Sequence, residues 1–169
     1  MYKLLVLISL FTYTLHAKTF PLHTGNVSFD MPKGFHNMSA QHIQIKYPRG
    51  KAPSHVLTND STESTIVYGL RGKHLPQDEI ALTGKAFEDG YKRMVGGFQL
   101  QSNKVVNISG QKWVQLEFIS NTLDSKVYNI FMITGYQGQM LVFNCNSTLK
   151  EFAHYERDFR KTIQSITLK

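Results

Sequence analysis

The sequence predicts an α+β fold. Three observations carry that prediction. Runs of alternating apolar and polar residues follow one another between 104 and 145. Two stretches, 75–98 and 148–166, repeat their apolar residues at helical spacing. No repeat, low-complexity tract or linker interrupts the 169 residues.

The elements follow in chain order. Residues 19–35, TFPLHTGNVSFDMPKGF, read as two short strands around a Gly25-Asn26 turn; Pro32 ends the pairing and Phe35 tucks back towards the core. Residues 42–48 alternate Ile43, Ile45 and Tyr47 and predict a further strand stopped by Pro48. Residues 49–64 carry the composition of a loop, and 64–72 that of the next strand. In 75–98, Ile80, Phe87, Tyr91, Met94 and Val95 fall on one helical face. Asp78 and Glu79 suit the start of the helix dipole, Glu88–Lys92 and Asp89–Arg93 have i,i+4 spacing, and Gly96-Gly97 is a stop. Residues 104–110 lead into 111–120, where Val114, Leu116 and Phe118 alternate with Gln115 and Glu117. Residues 126–136 are almost continuously apolar, as in a strand covered on both faces, and return through Gln137-Gly138 into 139–145. In the closing helix Phe152, Tyr155, Phe159, Ile163 and Ile166 form one stripe.

The N-terminus reads as a secretory leader. Lys3 precedes an apolar stretch at 4–15, and Leu15-His16-Ala17 fits a cleavage site, so residues 1–17 are expected to be a signal peptide and 18–169 a single exported domain. That stretch is short and hydroxyl-rich for a bilayer span, and no later segment is long enough for one. The whole chain carries a formal +7, which suits anionic surroundings. The cations are scattered, however: Lys46, Arg49 and Lys51; Arg71 and Lys73; Lys150, Arg157, Arg160 and Lys161. Such scatter reads as a solvated surface more readily than as one binding patch. Five Asn-x-Ser/Thr triplets, at Asn26, Asn37, Asn59, Asn107 and Asn146, would be glycan acceptors only in a eukaryotic secretory route. The short leader and the absence of disulfides favour a bacterial periplasmic setting.

Few residues suggest chemistry. G-x-S-x-G, H-E-x-x-H, P-loop and G-x-G-x-x-G motifs are all missing, which removes the common hydrolase, zincin and nucleotide signals. The histidines stand singly; His36, His42 and His55 could meet only across loops, and no metal is expected. Cys145, the one cysteine, alternates in phase with Leu141 and Phe143, where a thiol behaves as a small hydrophobe. A nucleophilic thiol needs an electropositive, partly open site, and His154 falls out of phase with the stripe of the following helix. Cys145 is therefore expected to be a structural core thiol at a strand end, and no catalytic residue is assigned. Trp113, Gln115 and Glu117 share one strand face and form a candidate cleft if a helix covers them only in part; the alternative is Trp113 packed under a helix with Glu117 near the rim.

The order of landmarks resembles a known superfamily. FDMPKGF (29–35) lies in a first hairpin, STESTIVYGL (61–70) enters a strand, and a long helix ends before GGFQL (96–100). VNISGQKWVQLEF (106–118) follows, and a strand with Cys145 precedes a helix with Phe159, Ile163 and Ile166. This pattern is similar to the PsbP/Mog-type fold, with bacterial DcrB-like exported proteins as the nearest group. The resemblance implies an antiparallel sheet of about six strands sandwiched between helices, in a module that binds or assists and does not catalyse. It implies no cofactor and carries over no functional residue. The expectation is a non-catalytic, exported, periplasmic module of the bacterial envelope. Its partner is expected to be an unknown protein or anionic envelope component, not nucleic acid. The alternatives are a hydrolase using Cys145 or a Glu/His pair, and a secreted, host-directed protein of a pathogen.

Overall fold

The computed structural model describes residues 17–22, 25–48, 52–72 and 74–169. The leader read in residues 1–16 lies outside the described residues, as do His23, Arg49, Lys51 and Lys73. Thirteen elements follow in order: β1 (Lys18–Pro21), β2 (Asn26–Phe29), β3 (His36–Asn37), α1 (Ala40–Lys46), β4 (His55–Thr58), β5 (Ser64–Arg71), α2 (Ile80–Met94), β6 (Gln99–Ile108), β7 (Gln111–Asn121), β8 (Lys126–Tyr136), β9 (Gln139–Thr148), α3 (Leu149–Gln164) and β10 (Thr167–Leu168).

The main sheet has seven antiparallel strands in the order β3-β4-β5-β9-β8-β7-β6. Two-residue turns set its register. Ser109-Gly110 and Gln137-Gly138 both lie at positive φ (50° and 77°, 52° and 73°), which matches the twist of the strands they join. Because side chains alternate, the register then fixes two faces. One carries Val114, Leu116, Phe118 and Ile133 and receives α2, which packs on β6, β7 and β8. The other carries Leu57, Ile66, Cys145 and Ile130 in one cross-strand row and receives α3, which packs on β8, β9 and β5. The fold is thus a sheet with a helix on each face.

The first hairpin does not join this sheet. β1, β2 and β10 form a three-stranded sheet of their own. Phe29 of β2 lies edge-on to Phe143 (ring centroids 5.0 Å apart), so the small sheet closes the α3 side of the core. Gly34 at φ 82° turns the chain after Pro32 and lets Phe35 pack edge-on against Phe159.

Several expectations are corrected. Residues 42–48 form helix α1 and not a strand: Ser39 Oγ accepts from the His42 N–H (3.2 Å), and this cap favours the helix. Over so few residues the alternation of Ile43, Ile45 and Tyr47 fits both periods, and α1 buries none of its side chains. The stretch 49–64 contains β4, whose Val56-Leu57 lies between Pro53 and the turn residues 59–61. With β4 included the main sheet has seven strands, in keeping with the expected sheet of about six between helices. Cys145 is not at a strand end but inside β9, paired with Ile66 on one side and Ile130 on the other. Among the described residues, Glu88–Lys92 and Asp89–Arg93 do not pair; Lys85 pairs with Asp89, and Glu88 accepts from Asn103 (2.7 Å). Met94, placed on the buried stripe, is exposed, because α2 ends there and the chain turns away at Gly97.

Gly135 on β8 tests the packing directly. A Cβ there would overlap the carbonyl oxygen of Leu75, which is backbone and cannot swing aside. Gly135→Ala is expected to cost at least about 2 kcal/mol in urea unfolding, the range of overpacked cores.

Candidate functional site

The candidate cleft residues lie on β7 facing α3. The structure places Trp113 fully buried, with its indole N–H donating to the Ile108 carbonyl (3.3 Å). Glu117 is also covered, only 3% exposed. Gln115 alone reaches the wall of a groove, of about 380 Å3, that runs between β6 and α3 past Lys104, Val106, Ile108 and Ile163. The face is closed by α3 and is not an open cleft.

What closes it is a charge cluster. In its cross-strand row Glu117 stands between Ile130 and Ser102, so a carboxylate directly follows the apolar run Leu57, Ile66, Cys145 and Ile130. A buried carboxylate without partners would be very costly. Arg160 of α3 supplies two parallel hydrogen bonds, Nη1 to Oε1 (3.1 Å) and Nη2 to Oε2 (3.2 Å). Tyr128 Oη donates to Oε2 (2.7 Å), and Gln115 Nε2 donates to Oε1. Arg160 also holds Glu156 one turn back, Nε to Oε1 at 3.0 Å. Burial pushes the Glu117 carboxyl up, but the hydrogen bonds from Arg160, Tyr128 and Gln115 together outweigh it, so the group sits below the usual carboxylate range. Burial, with Glu117 beside it, pushes the Tyr128 phenol up to about 12. The cluster therefore holds fixed charges near neutral pH, and its groups are poorly set to exchange protons there.

A second carboxylate is engaged in the same way. Glu151, in the first turn of α3, accepts from Ser64 Oγ and Ser61 Oγ (2.8 Å each) and from Asn59 Nδ2 (2.9 Å). These bonds tie the β4–β5 loop to the helix start, where a negative side chain suits the helix dipole. Burial raises the Glu151 carboxyl and these hydrogen bonds lower it, the net direction being down.

The sequence could not reveal the partner of Glu117, since Arg160 lies 43 residues away and only the packing of α3 brings it close. Cys145 is fully buried in the row beside Ile66 and Ile130, and burial pushes its thiol far up. His154 is exposed on α3 with its ring edge-on to Tyr155. His36, His42 and His55 do not gather: His36 lies 3.7 Å from Asp60, His42 is in α1, and His55 stacks on Tyr68. Among the described residues no three His, Cys, Asp or Glu side chains are placed to hold a metal ion.

Three outcomes follow. Arg160→Ala, which leaves Glu117 buried and short of its main partner, is expected to lower unfolding stability by about 3 kcal/mol, and adding Glu117→Gln to recover much of that loss. The folded pKa of Glu117 lies below its ordinary value near 4.5. Its contribution is thus complete above that value and lost as the pH falls through the lower folded one, so Glu117→Gln flattens the acid limb of the stability curve. Cys145 is expected to resist iodoacetamide in the folded protein at neutral pH and to react once denaturant is added; rapid labelling of the folded state would contradict the buried placement.

No family model matches the chain, and no curated protein does. Solved structures do match. The chain is similar to the cyanobacterial PsbP (CyanoP) of Synechocystis sp. PCC 6803, at 12% identity over 92% of this chain and 94% of that one, with a TM-score of 0.63. LpqN of Mycobacterium tuberculosis, described as involved in cell envelope biogenesis, aligns at 16% identity over 91% and 92%, with a TM-score of 0.60. The Ran-binding protein Mog1p of Saccharomyces cerevisiae aligns at 11% identity over 92% and 96%, with a TM-score of 0.55. Identities this low speak to the fold alone. With its antiparallel sheet between helices, the chain has the PsbP/Mog-type fold.

Proposed function

We propose that the chain is a non-catalytic binding or accessory module of the bacterial envelope, exported by a leader at residues 1–17, with residues 18–169 as its working domain. The observation that carries this reading is the surface around the last turns of α3. Three shallow grooves, of about 510, 380 and 440 Å3, meet there and share Gln164. Their rims carry Lys33, Lys104, Arg157, Arg160 and Lys161, with Asp30, Glu156 and Asp158 between them. A broad, shallow surface with an excess of cations suits a macromolecular or polyanionic partner better than a small substrate. Three groups with chemical potential are engaged elsewhere: Glu117 and Glu151 in fixed hydrogen bonds, Cys145 in the core. Among structures of the same fold, LpqN's link to the cell envelope and Mog1p's binding of Ran support a role in recognition. A DcrB-like kinship and a periplasmic location belong to the same proposal. No helix among the described residues is long and apolar enough to cross a membrane.

A photo-crosslinking amino acid at Gln164, in cells, tests the reading. A discrete adduct that charge reversal at Arg157 and Lys161 weakens, in a protein that fractionates with the periplasm, is the expected result. An adduct pattern identical to that from exposed Leu82 on α2 would remove the proposal.

A further inference from the structure

The two ends of the main sheet differ. One closes in the tight turns at Ser109-Gly110 and Gln137-Gly138. At the other, the end of α2, the start of β6, the β7–β8 loop and the start of α3 come together. The Asn121 N–H donates to the Gly96 carbonyl (2.8 Å), Leu100 stands opposite Phe118, and Val127 pairs with Thr148, the residue before α3. This second end is where the chain exposes large apolar side chains. Leu123 is 108% exposed, Met94 77%, Leu100 44% and Leu149 40%, four of the seven such residues among those described. One exposed leucine needs no explanation, but four on one end do.

Leu123 is held in place. It sits at the crown of a four-residue loop that the Thr122 side chain clamps from within. The Thr122 N–H donates to the Ser125 carbonyl (2.8 Å), Thr122 Oγ1 accepts from the Ser125 N–H (3.2 Å), and it donates to Asp124 (3.1 Å). The loop therefore presents a leucine outward at little entropic cost to a partner. At the same end lie Lys92 and Arg93 in the last turn of α2, Lys126 after the loop and Lys150 in the first turn of α3. Asp124, Glu63 and Glu151 oppose them; Glu63 is engaged by Thr148 Oγ1 (2.9 Å), and Glu151 by Ser61, Ser64 and Asn59.

We propose that this end of the molecule docks on an anionic lipid surface, with Leu123 and Met94 entering the interface and the surrounding cations resting on the headgroups. The tip is convex, so a protein partner would need a matching pocket, whereas a bilayer interface admits such a tip without one. Four cations against three carboxylates leave a small positive excess, which suits the negative potential of anionic lipid. The site lies at the opposite end of α3 from the grooves around Gln164, and it needs neither export nor the partner proposed there.

Vesicle flotation of the purified protein tests it, with the N-terminus established by mass spectrometry. Vesicles of phosphatidylcholine mixed with phosphatidylglycerol are expected to bind the protein and pure phosphatidylcholine to bind far less, with salt weakening the association. Because Cys145 is buried, Leu123→Cys can be labelled alone with an environment-sensitive dye, whose emission is expected to shift blue on binding. Leu123→Asp with Met94→Ser, both at exposed positions that leave the core untouched, is expected to reduce the bound fraction about tenfold or more. Charge reversal at Arg157 and Lys161 is expected to leave it unchanged. Failure to bind anionic vesicles, a dye that stays in water, or equal binding by the Leu123→Asp/Met94→Ser variant would each overturn the proposal. The last of these would assign the affinity to another part of the chain.

Discussion

A carboxylate placed in an apolar row has to be neutralised, and that requirement positions α3. Glu117 lies under the helix in line with Ile130 and Cys145, and the guanidinium aimed down from α3 supplies the positive charge, meeting both oxygens beside Tyr128 and Gln115. The bidentate geometry restricts the rotation of the helix about its axis. At the start of the helix Glu151 holds the β4–β5 loop, and near its end Thr162 Oγ1 donates to the Asp30 carbonyl (2.7 Å). Three polar anchors along one helix leave it little freedom. Which residues then face outward, Arg157, Lys161 and Gln164 among them, follows from that placement.

The two faces of the sheet use different physics. Under α2 the contact is aromatic and aliphatic: Tyr91 lies 5.0 Å from both Phe118 and Phe131, and the cluster contains no charge. Burial supplies attraction there but little directional preference. Under α3 an apolar core, with Phe143, Phe159 and Ile163, is combined with the Glu117 and Glu151 networks. Hydrogen bonds of fixed geometry add direction where burial alone would allow several arrangements. The small sheet then packs Phe29 of β2 against Phe143 of β9, and β10, which follows α3 in the chain, pairs with β2.

Much of this was legible because a period of two survives in a single strand. The alternation in 111–120 and 139–145 marks β7 and β9, and the apolar run 126–136 marks β8, each to within a few residues of its true bounds. Where a segment is too short to carry a period, the pattern fails. The alternation of Ile43, Ile45 and Tyr47 hid a capped helix, and Val56-Leu57 between turn residues hid β4. The candidate site was half visible: Trp113, Gln115 and Glu117 do share one face, but whether that face opens depends on α3 and Arg160, which no local pattern reports. Leu123 carried a local signal that the strand and helix patterns pass over. A leucine among Asn121, Thr122, Asp124 and Ser125 sits in turn chemistry, and the crown of a hairpin has no interior to receive it.

Proteins with the same fold share about a tenth of their residues with this chain and have different described roles, one linked to a cell envelope and one binding Ran. The fold therefore constrains the interior and leaves the surface open. In this chain Glu117 and Glu151 are occupied in holding α3 and the loop at its start, so under the proposed binding role recognition would fall to what the helices and loops present outward. α3 joins two outward regions, one at each end: a shallow surface near Gln164 with several cations on its rim, and an apolar tip near Leu123. Because one anchored helix sets the separation between them, a partner held at the first region would sit at a fixed height above any surface that receives the second.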